Sequence, residues 1–257
     1  MRVVIKIGTS TLTYASGCVS IRRIEALCRV ISDMKNAGYE VVIVSSGAIG
    51  MGVGKLNLKE RPRDIVGKQA AAAVGQCELM YIYDTEFSRY NHTVAQLLLT
   101  APDFECEERR GNLVGTMTRL IELGVIPIVN ENDTIATEEI VFGDNDSLAA
   151  RVAVSIGADL LILLSDIDGL YTADPRTHAD ATLIGEVKEL TDEIMALGGG
   201  AGSALGTGGM ETKLRAARTV TERGCDMIIM NGAYPEGLYN VLDEKPVGTR
   251  FYGKGKA

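Results

Sequence analysis

The sequence predicts an α/β fold around a mostly parallel sheet, and two patterns carry that prediction. Five short apolar runs, at 3–7, 41–44, 125–129, 159–164 and 227–230, lack clean polar alternation. Strands without a polar face are buried on both sides, as in parallel sheets. Helical periodicity lies between the runs, so strand and helix alternate as they do in βαβ units.

The first run is followed by Ile21, Ile24, Leu27, Cys28, Ile31 and Met34 at helical spacing, with Ser20 as candidate cap and Gly38 as stop. After the run at 41–44 comes a helix over about 64–88, then a further strand over 93–99 that would enlarge the sheet. A helix over about 107–123 leads into the run at 125–129. Residues 134–144 break the alternation: Ile135, Ile140 and Val141, with Thr and Glu between them, read as a small hairpin able to lid a site. A helix over about 146–156 precedes the run at 159–164. The glycine-dense segment 198–209 is too loose to form an element of its own, and we expect it to be mobile without a ligand. It gives way to a helix over about 210–223 and the last run.

With 257 residues, 46% of them hydrophobic, the chain can bury a sizeable core, and one domain over 1–257 is expected. The formal charge of -8 and the absence of a basic block remove the electrostatic basis for nucleic-acid binding. Five cysteines, an odd number with no C-x-x-C pair, suggest neither a disulfide framework nor a metal site. No leader pattern or apolar stretch of about 20 residues is present, so no membrane association and a cytoplasmic location are expected.

Small polar residues follow every apolar run: Gly8-Thr9-Ser10, Ser45-Ser46-Gly47, Asn130-Glu131-Asn132-Asp133, Ser165-Asp166 and Asn231-Gly232. Any one of them alone would be an ordinary strand-to-helix turn. In open α/β sheets, however, ligands bind beyond the carboxyl ends of the strands, so the five should meet at one crevice. Lys6 interrupts an otherwise buried run and needs either an anion or a sheet edge open to water. Gly8, Thr9 and Ser10 beside it can offer N–H groups and hydroxyls to a phosphate. The segment Gly206 to Lys213 passes from glycines into a helix start bearing Lys213, a second phosphate site in the making unless that lysine is merely solvated. Two lysines on one transferring phosphoryl group would neutralise the charge that develops on it. Asp146 could simply cap its helix, whereas Asp133, Asp144 and Asn145 could grip an α-ammonium group or hold lysines in place. No G-x-x-x-x-G-K-[ST] motif occurs, and Gly50, Gly52 and Gly54 have the wrong spacing for G-x-G-x-x-G, so P-loop and nicotinamide enzymes are disfavoured. Asp166-Ile167-Asp168-Gly169 lacks the later acid of a calcium loop. His92 and His178 have no partners in any catalytic pattern.

Taken together, Lys6–Ser10, Ser45–Ile49, Asn130–Asp133, Gly143–Asp146, Gly169–Arg176 and Gly206–Lys213 closely resemble the glutamate-phosphorylating branch of the amino acid kinase family, from residue 1 to about 251. The resemblance implies a three-layer αβα sandwich, ATP with Mg2+, and formation of γ-glutamyl phosphate on the way to proline. It implies that Lys6 and Lys213 stabilise the migrating phosphoryl group while Asp146 orients them. Ser46, Asn130, Asp133, Asp144 and Asn145 match the glutamate-binding set. Lys6, Gly8, Thr9, Ser165, Asp166 and the stretch Thr207, Gly208, Gly209, Met210, Glu211, Thr212, Lys213 match the nucleotide side. Ser165 stands where threonine is frequent in the family, a change that keeps the hydroxyl. It further implies a homo-oligomer, feedback inhibition by proline, and glutamate-5-semialdehyde dehydrogenase as functional partner. Many members continue into an RNA-modification-type PUA domain, which is expected to be absent here. A γ-carboxylate is already ionised at neutral pH, so no general base is demanded. Two alternatives stay open: another acceptor of the same superfamily (aspartate, N-acetylglutamate, carbamate or a nucleoside monophosphate), or a non-catalytic amino-acid sensor.

Overall fold

The computed structural model describes residues 1–14, 18–136, 145–199 and 209–256. Its strands are β1 (Arg2–Ile7), β2 (Glu40–Ser45), β3 (Val94–Leu99), β4 (Ile126–Glu131), β5 (Leu160–Ser165), β6 (Leu170–Tyr171), β7 (Leu183–Ile184), β8 (Glu186–Val187), β9 (Asp226–Asn231) and β10 (Thr249–Phe251). Eight of them form one sheet in the order β3-β4-β2-β1-β5-β9-β10-β8. Pairing is parallel from β3 through β9, and β10 runs antiparallel to β9. Each of the five apolar runs is a strand of this sheet, and the stretch at 93–99 is the outer strand β3. The hairpin β6–β7 carries no sequence signal, because two-residue strands are too short to display a period.

The main helices are α1 (Ile21–Asn36), α2 (Ala48–Lys55), α3 (Ile65–Ser88), α4 (Glu107–Glu122), α5 (Asn145–Ser155) and α6 (Met210–Thr221). Successive strand residues point to opposite faces. Val3, Ile5 and Ile7 of β1 therefore join α1 and α3 in one core, with Leu27, Ile31, Leu79 and Phe87. Val4 points the other way, into a second core with Met117 of α4, Leu148 and Val152 of α5, and Leu214 and Val220 of α6. Helices thus cover both faces of the sheet in three layers, and burying each large aliphatic side chain contributes roughly 1.5–3 kcal/mol. Lys6 shares its face with Val4, so the strand period aims its side chain at α5 and α6.

Some local expectations come out differently. Ser20 does stand at the N-cap of α1 but makes no side-chain cap bond, whereas the Asp64 carboxylate caps α3 by accepting from Gly67 N at 2.7 Å. The expected hairpin at 134–144 begins in a turn around Asp133–Ile135; from 137 onward it lies outside the described residues, as do residues 200–208 of the glycine-dense segment.

Two glycines position the site. Gly47, at φ 101, lets the chain turn from β2 straight into α2 immediately after Ser46. Gly75 of α3 lies so close to α2 that a Cβ on it would stand 1.8 Å from Ala48 O. That approach brings the next residue, Gln76, to the end of β4, where it meets Asn130.

Candidate active site

Three charged side chains from three elements meet above β1. Lys6 Nζ lies 2.7 Å from Asp146 Oδ1, and Lys213 Nζ lies 2.9 Å from Asp146 Oδ2. Thr212 Oγ1 is 3.0 Å from Asp146 Oδ2 and 2.8 Å from Gly209 O. The Asp146 side chain is only 1% exposed, with Lys6 at 12% and Lys213 at 7%. Burial would raise the pKa of Asp146, but the charges and hydrogen bonds of the two lysines outweigh it and hold the carboxyl far below the usual carboxylate range. β1 is central, between β2 and β5, so a sheet edge does not account for Lys6. Nor is capping the use of Asp146: it occupies the first turn of α5, and its carboxylate is spent on the lysines. Lys213 sits in the first turn of α6, where the helix dipole opposes a cation, and the carboxylate offsets that repulsion.

Beside this cluster runs a chain of neutral groups. Asn145 Nδ2 is 2.9 Å from Ser45 O, 2.9 Å from Ser46 Oγ and 3.1 Å from Asn130 Oδ1. Asn130 Oδ1 also accepts from Glu131 N at 2.9 Å, and Asn130 Nδ2 donates to Gln76 Oε1 at 2.8 Å. Beneath Ser46, the Ser45 hydroxyl lies 3.0 Å from the buried Tyr83 hydroxyl. Among the described residues, Ser46 retains its hydroxyl proton and Asn145 its Oδ1 acceptor, so the chain can offer one donor and one acceptor to a ligand. Asp133, in the turn after β4, is driven by burial to a pKa of about 6, with Arg61 opposing the shift. Gln76 escaped the sequence reading because a lone glutamine in an alanine-rich helix is an ordinary surface residue until the helix crossing is known.

On the other side of Lys213 opens a cavity of about 810 Å³, whose lining includes Ser165, Asp166, Gly209, Met210, Tyr171 and Asn231. That volume suits a nucleotide-sized ligand. The Ser165 hydroxyl is 3.2 Å from Asp166 Oδ1. Strand ends β1, β5 and β9 are tied together here: Gly8 N donates to Leu164 O and Gly232 N to Ser165 O. Thr9 begins a short helix, Thr9–Leu12, directly after Gly8. Glu211 faces away, exposed and paired with Arg215 at 2.8 Å, and does not line the cavity. Asp144, Thr207 and Gly208 lie outside the described residues.

Asp146→Asn should leave two buried ammonium groups facing a neutral amide and lower the unfolding free energy by about 3–5 kcal/mol. Urea denaturation at pH 7 measures it, and a loss below about 1 kcal/mol would mean that the paired charges contribute little. The sign with pH follows from the depressed carboxyl. Its stabilisation is present above the unfolded value near 4 and is withdrawn as pH falls toward the native value, so the gap between variant and parent should narrow below about pH 4.

A sequence profile described as the amino acid kinase family matches residues 1–231, ending with the last residue of β9. The glutamate 5-kinase of Clostridium perfringens is 55% identical, over 98% of this chain and 96% of that protein. That of Clostridium acetobutylicum is 53% identical, over 99% and 96%. That of Carboxydothermus hydrogenoformans is 51% identical over 99% of this chain, which spans 68% of its length. Among solved structures, the UMP kinase from Bacillus anthracis matches with a TM-score of 0.65 at 15% identity, over 100% of this chain and 97% of that one, a likeness of fold. Lysines braced by one carboxylate at the centre of a parallel sheet, and full-length relatives at half identity, lead to the same conclusion: the chain belongs to the amino acid kinase family.

Proposed function

We propose that the chain is an ATP-dependent kinase that phosphorylates the γ-carboxylate of L-glutamate, giving L-glutamyl 5-phosphate and ADP as the first step of proline biosynthesis. The observation that carries this reading is the buried Lys6–Asp146–Lys213 cluster, set between a nucleotide-sized cavity and a neutral amide chain. The high identity to glutamate 5-kinases supports glutamate as the acceptor.

In this reading ATP enters the cavity past Ser165, Asp166 and the start of α6, with Mg2+ carried on its phosphates as part of the substrate. A γ-carboxylate oxygen of glutamate attacks the γ-phosphorus. That P–O bond forms as the bond to the β,γ-bridging oxygen breaks, and ADP leaves with the electron pair. No proton moves, so none of the residues needs to act as a base. Two ammonium groups against one carboxylate leave the cluster one positive charge in surplus, available to oxygens on which charge accumulates. Asp146 keeps both lysines aimed before the substrate arrives, so little reorganisation is needed in the transition state. For glutamate itself, the Ser46 hydroxyl suits the α-carboxylate, and the Asn145 carbonyl with the Asp133 carboxylate suits the α-ammonium group. An acyl phosphate is prone to hydrolysis, which fits onward transfer to glutamate-5-semialdehyde dehydrogenase, with proline as the returning inhibitor.

An acceptor panel tests the assignment: glutamate, aspartate, N-acetylglutamate, carbamate and UMP, each with Mg-ATP, with the acyl phosphate trapped as hydroxamate. Glutamate should be turned over fastest, and faster turnover of another compound would overturn the choice. Lys213→Ala should lower kcat by about a hundredfold or more while glutamate KM moves less than about threefold, the pattern of a group acting on the transition state. An unchanged kcat would remove Lys213 from the chemistry. Because Asp133 titrates at about 6 and must be ionised to hold an ammonium group, glutamate KM should be flat above about pH 7. Below pH 6 it should rise about tenfold per unit. Asp133→Asn should start from a higher KM and lose that slope; a slope retained in the variant assigns the titration elsewhere.

A further inference from the structure

The amide chain ends on a residue that no part of the proposed chemistry uses. Gln76 belongs to α3, is 8% exposed, and its Oε1 accepts from Asn130 Nδ2 at 2.8 Å. Its own Nε2 is buried with no hydrogen-bond partner among the described residues. A buried amide that uses only its carbonyl end carries an unsatisfied donor, a cost on the order of tenfold or more in an equilibrium constant. Simple packing would favour an apolar residue of the same volume.

The orientation of each amide in the chain follows from a single backbone group. The N–H of Glu131 at the end of β4 must be accepted, and Asn130 Oδ1 accepts it at 2.9 Å. Asn130 Nδ2 then points the other way, where only an acceptor is tolerated, and Gln76 Oε1 supplies it. With Asn130 Oδ1 fixed, Asn145 must turn its Nδ2 toward it, and the two hydrogens of that NH2 are shared among Asn130 Oδ1, Ser45 O and Ser46 Oγ. The Asn145 carbonyl consequently faces the other way, as the acceptor left over for a ligand, and the Ser46 hydroxyl, already accepting, is left as a donor. Without the Gln76 carbonyl, Asn130 would hold a buried NH2 with nothing to receive it. Rotating Asn130 to relieve that would abandon Glu131 N and Asn145 together.

We infer that Gln76 is a positioning residue for the amino-acid acceptor: it locks the Asn130 amide, and through it the Asn145 amide and the Ser46 hydroxyl, into the one orientation that leaves an acceptor and a donor for the substrate. The inference rests on the acceptor reading of Ser46, Asn130 and Asn145. Gly75 serves the same end, since its missing side chain lets α3 approach α2 closely enough for Gln76 to reach Asn130.

A double-mutant cycle tests it, with KM for glutamate and for ATP measured on the full chain. Gln76→Met keeps the volume and removes the acceptor; glutamate KM should rise on the order of tenfold, the loss expected from one unsatisfied buried group, while ATP KM changes less than about twofold. In the Asn130→Ala background the same substitution should change glutamate KM by less than about twofold, because the residue it acts through is gone. Gln76→Glu, which restores an acceptor for Asn130, should recover most of what Gln76→Met loses, and it serves as the test if Gln76→Met does not fold. Equal effects of Gln76→Met in both backgrounds, parallel rises in both KM values, or no recovery with Gln76→Glu would overturn the positioning role. An Asn130→Ala variant with unaltered glutamate KM would overturn the acceptor reading and the role of Gln76 with it. If Asn130→Ala raises glutamate KM and Gln76→Met does not, the role of Gln76 falls alone.

Discussion

The carboxylate of Asp146, held between the ammonium groups of Lys6 and Lys213 at 2.7 and 2.9 Å, is the interaction on which the rest of the architecture depends. None of the three groups could be buried alone, since an isolated ion in a protein interior costs several kcal/mol that only a close partner offsets. The fold brings them together from a central strand and the first turns of two helices packed on the same face of the sheet. Val4, two residues before Lys6, shows why that face is available: the strand period that buries Val4 against α5 and α6 carries Lys6 to their N-terminal ends. The hydrophobic core and the charged cluster are therefore consecutive positions of one pattern.

Around the cluster the chemistry divides by charge. Toward the cavity, Lys213 and the N-terminal end of α6 carry positive character, opposite the carboxylates of Asp166, Asp168 and Asp174 in the same lining. Toward α2 and α3 the groups are neutral amides and hydroxyls, which can bind a zwitterion by placing donors and acceptors without adding a competing charge beside the lysines. Asp133 is the exception: burial raises its carboxyl to a pKa of about 6, so it is mostly ionised at neutral pH and loses its charge as the pH falls below that value. Neutral networks of this kind depend on every orientation being fixed, because an amide turned by half a rotation exchanges a donor for an acceptor.

The close crossing of α2 and α3 links these regions. Gly52 and Gly75 admit backbone-to-backbone contact, and through it α3 delivers Gln76 to Asn130 and Tyr83 to Ser45. A helix that in sequence looks like an alanine-rich spacer thus supplies side chains to the hydrogen-bonded chain of amides and hydroxyls beside the lysines.

The sequence by itself determined the parallel sheet, its five core strands and the crevice at their carboxyl ends, because apolar runs of strand length and the small polar residues after them are local features that burial enforces. It also isolated Lys6, since an ammonium group inside a buried run is conspicuous in one dimension. The family resemblance named Asp146 as the residue that orients Lys6 and Lys213, but only the tertiary structure gave each lysine its own oxygen of that carboxylate and turned Glu211 to solvent, because these depend on which helix faces lie over which strand. Gln76 was invisible for the same reason: its meaning comes from a glycine-mediated helix approach and from hydrogen-bond directions passed along four side chains, and neither leaves a periodic mark in the chain.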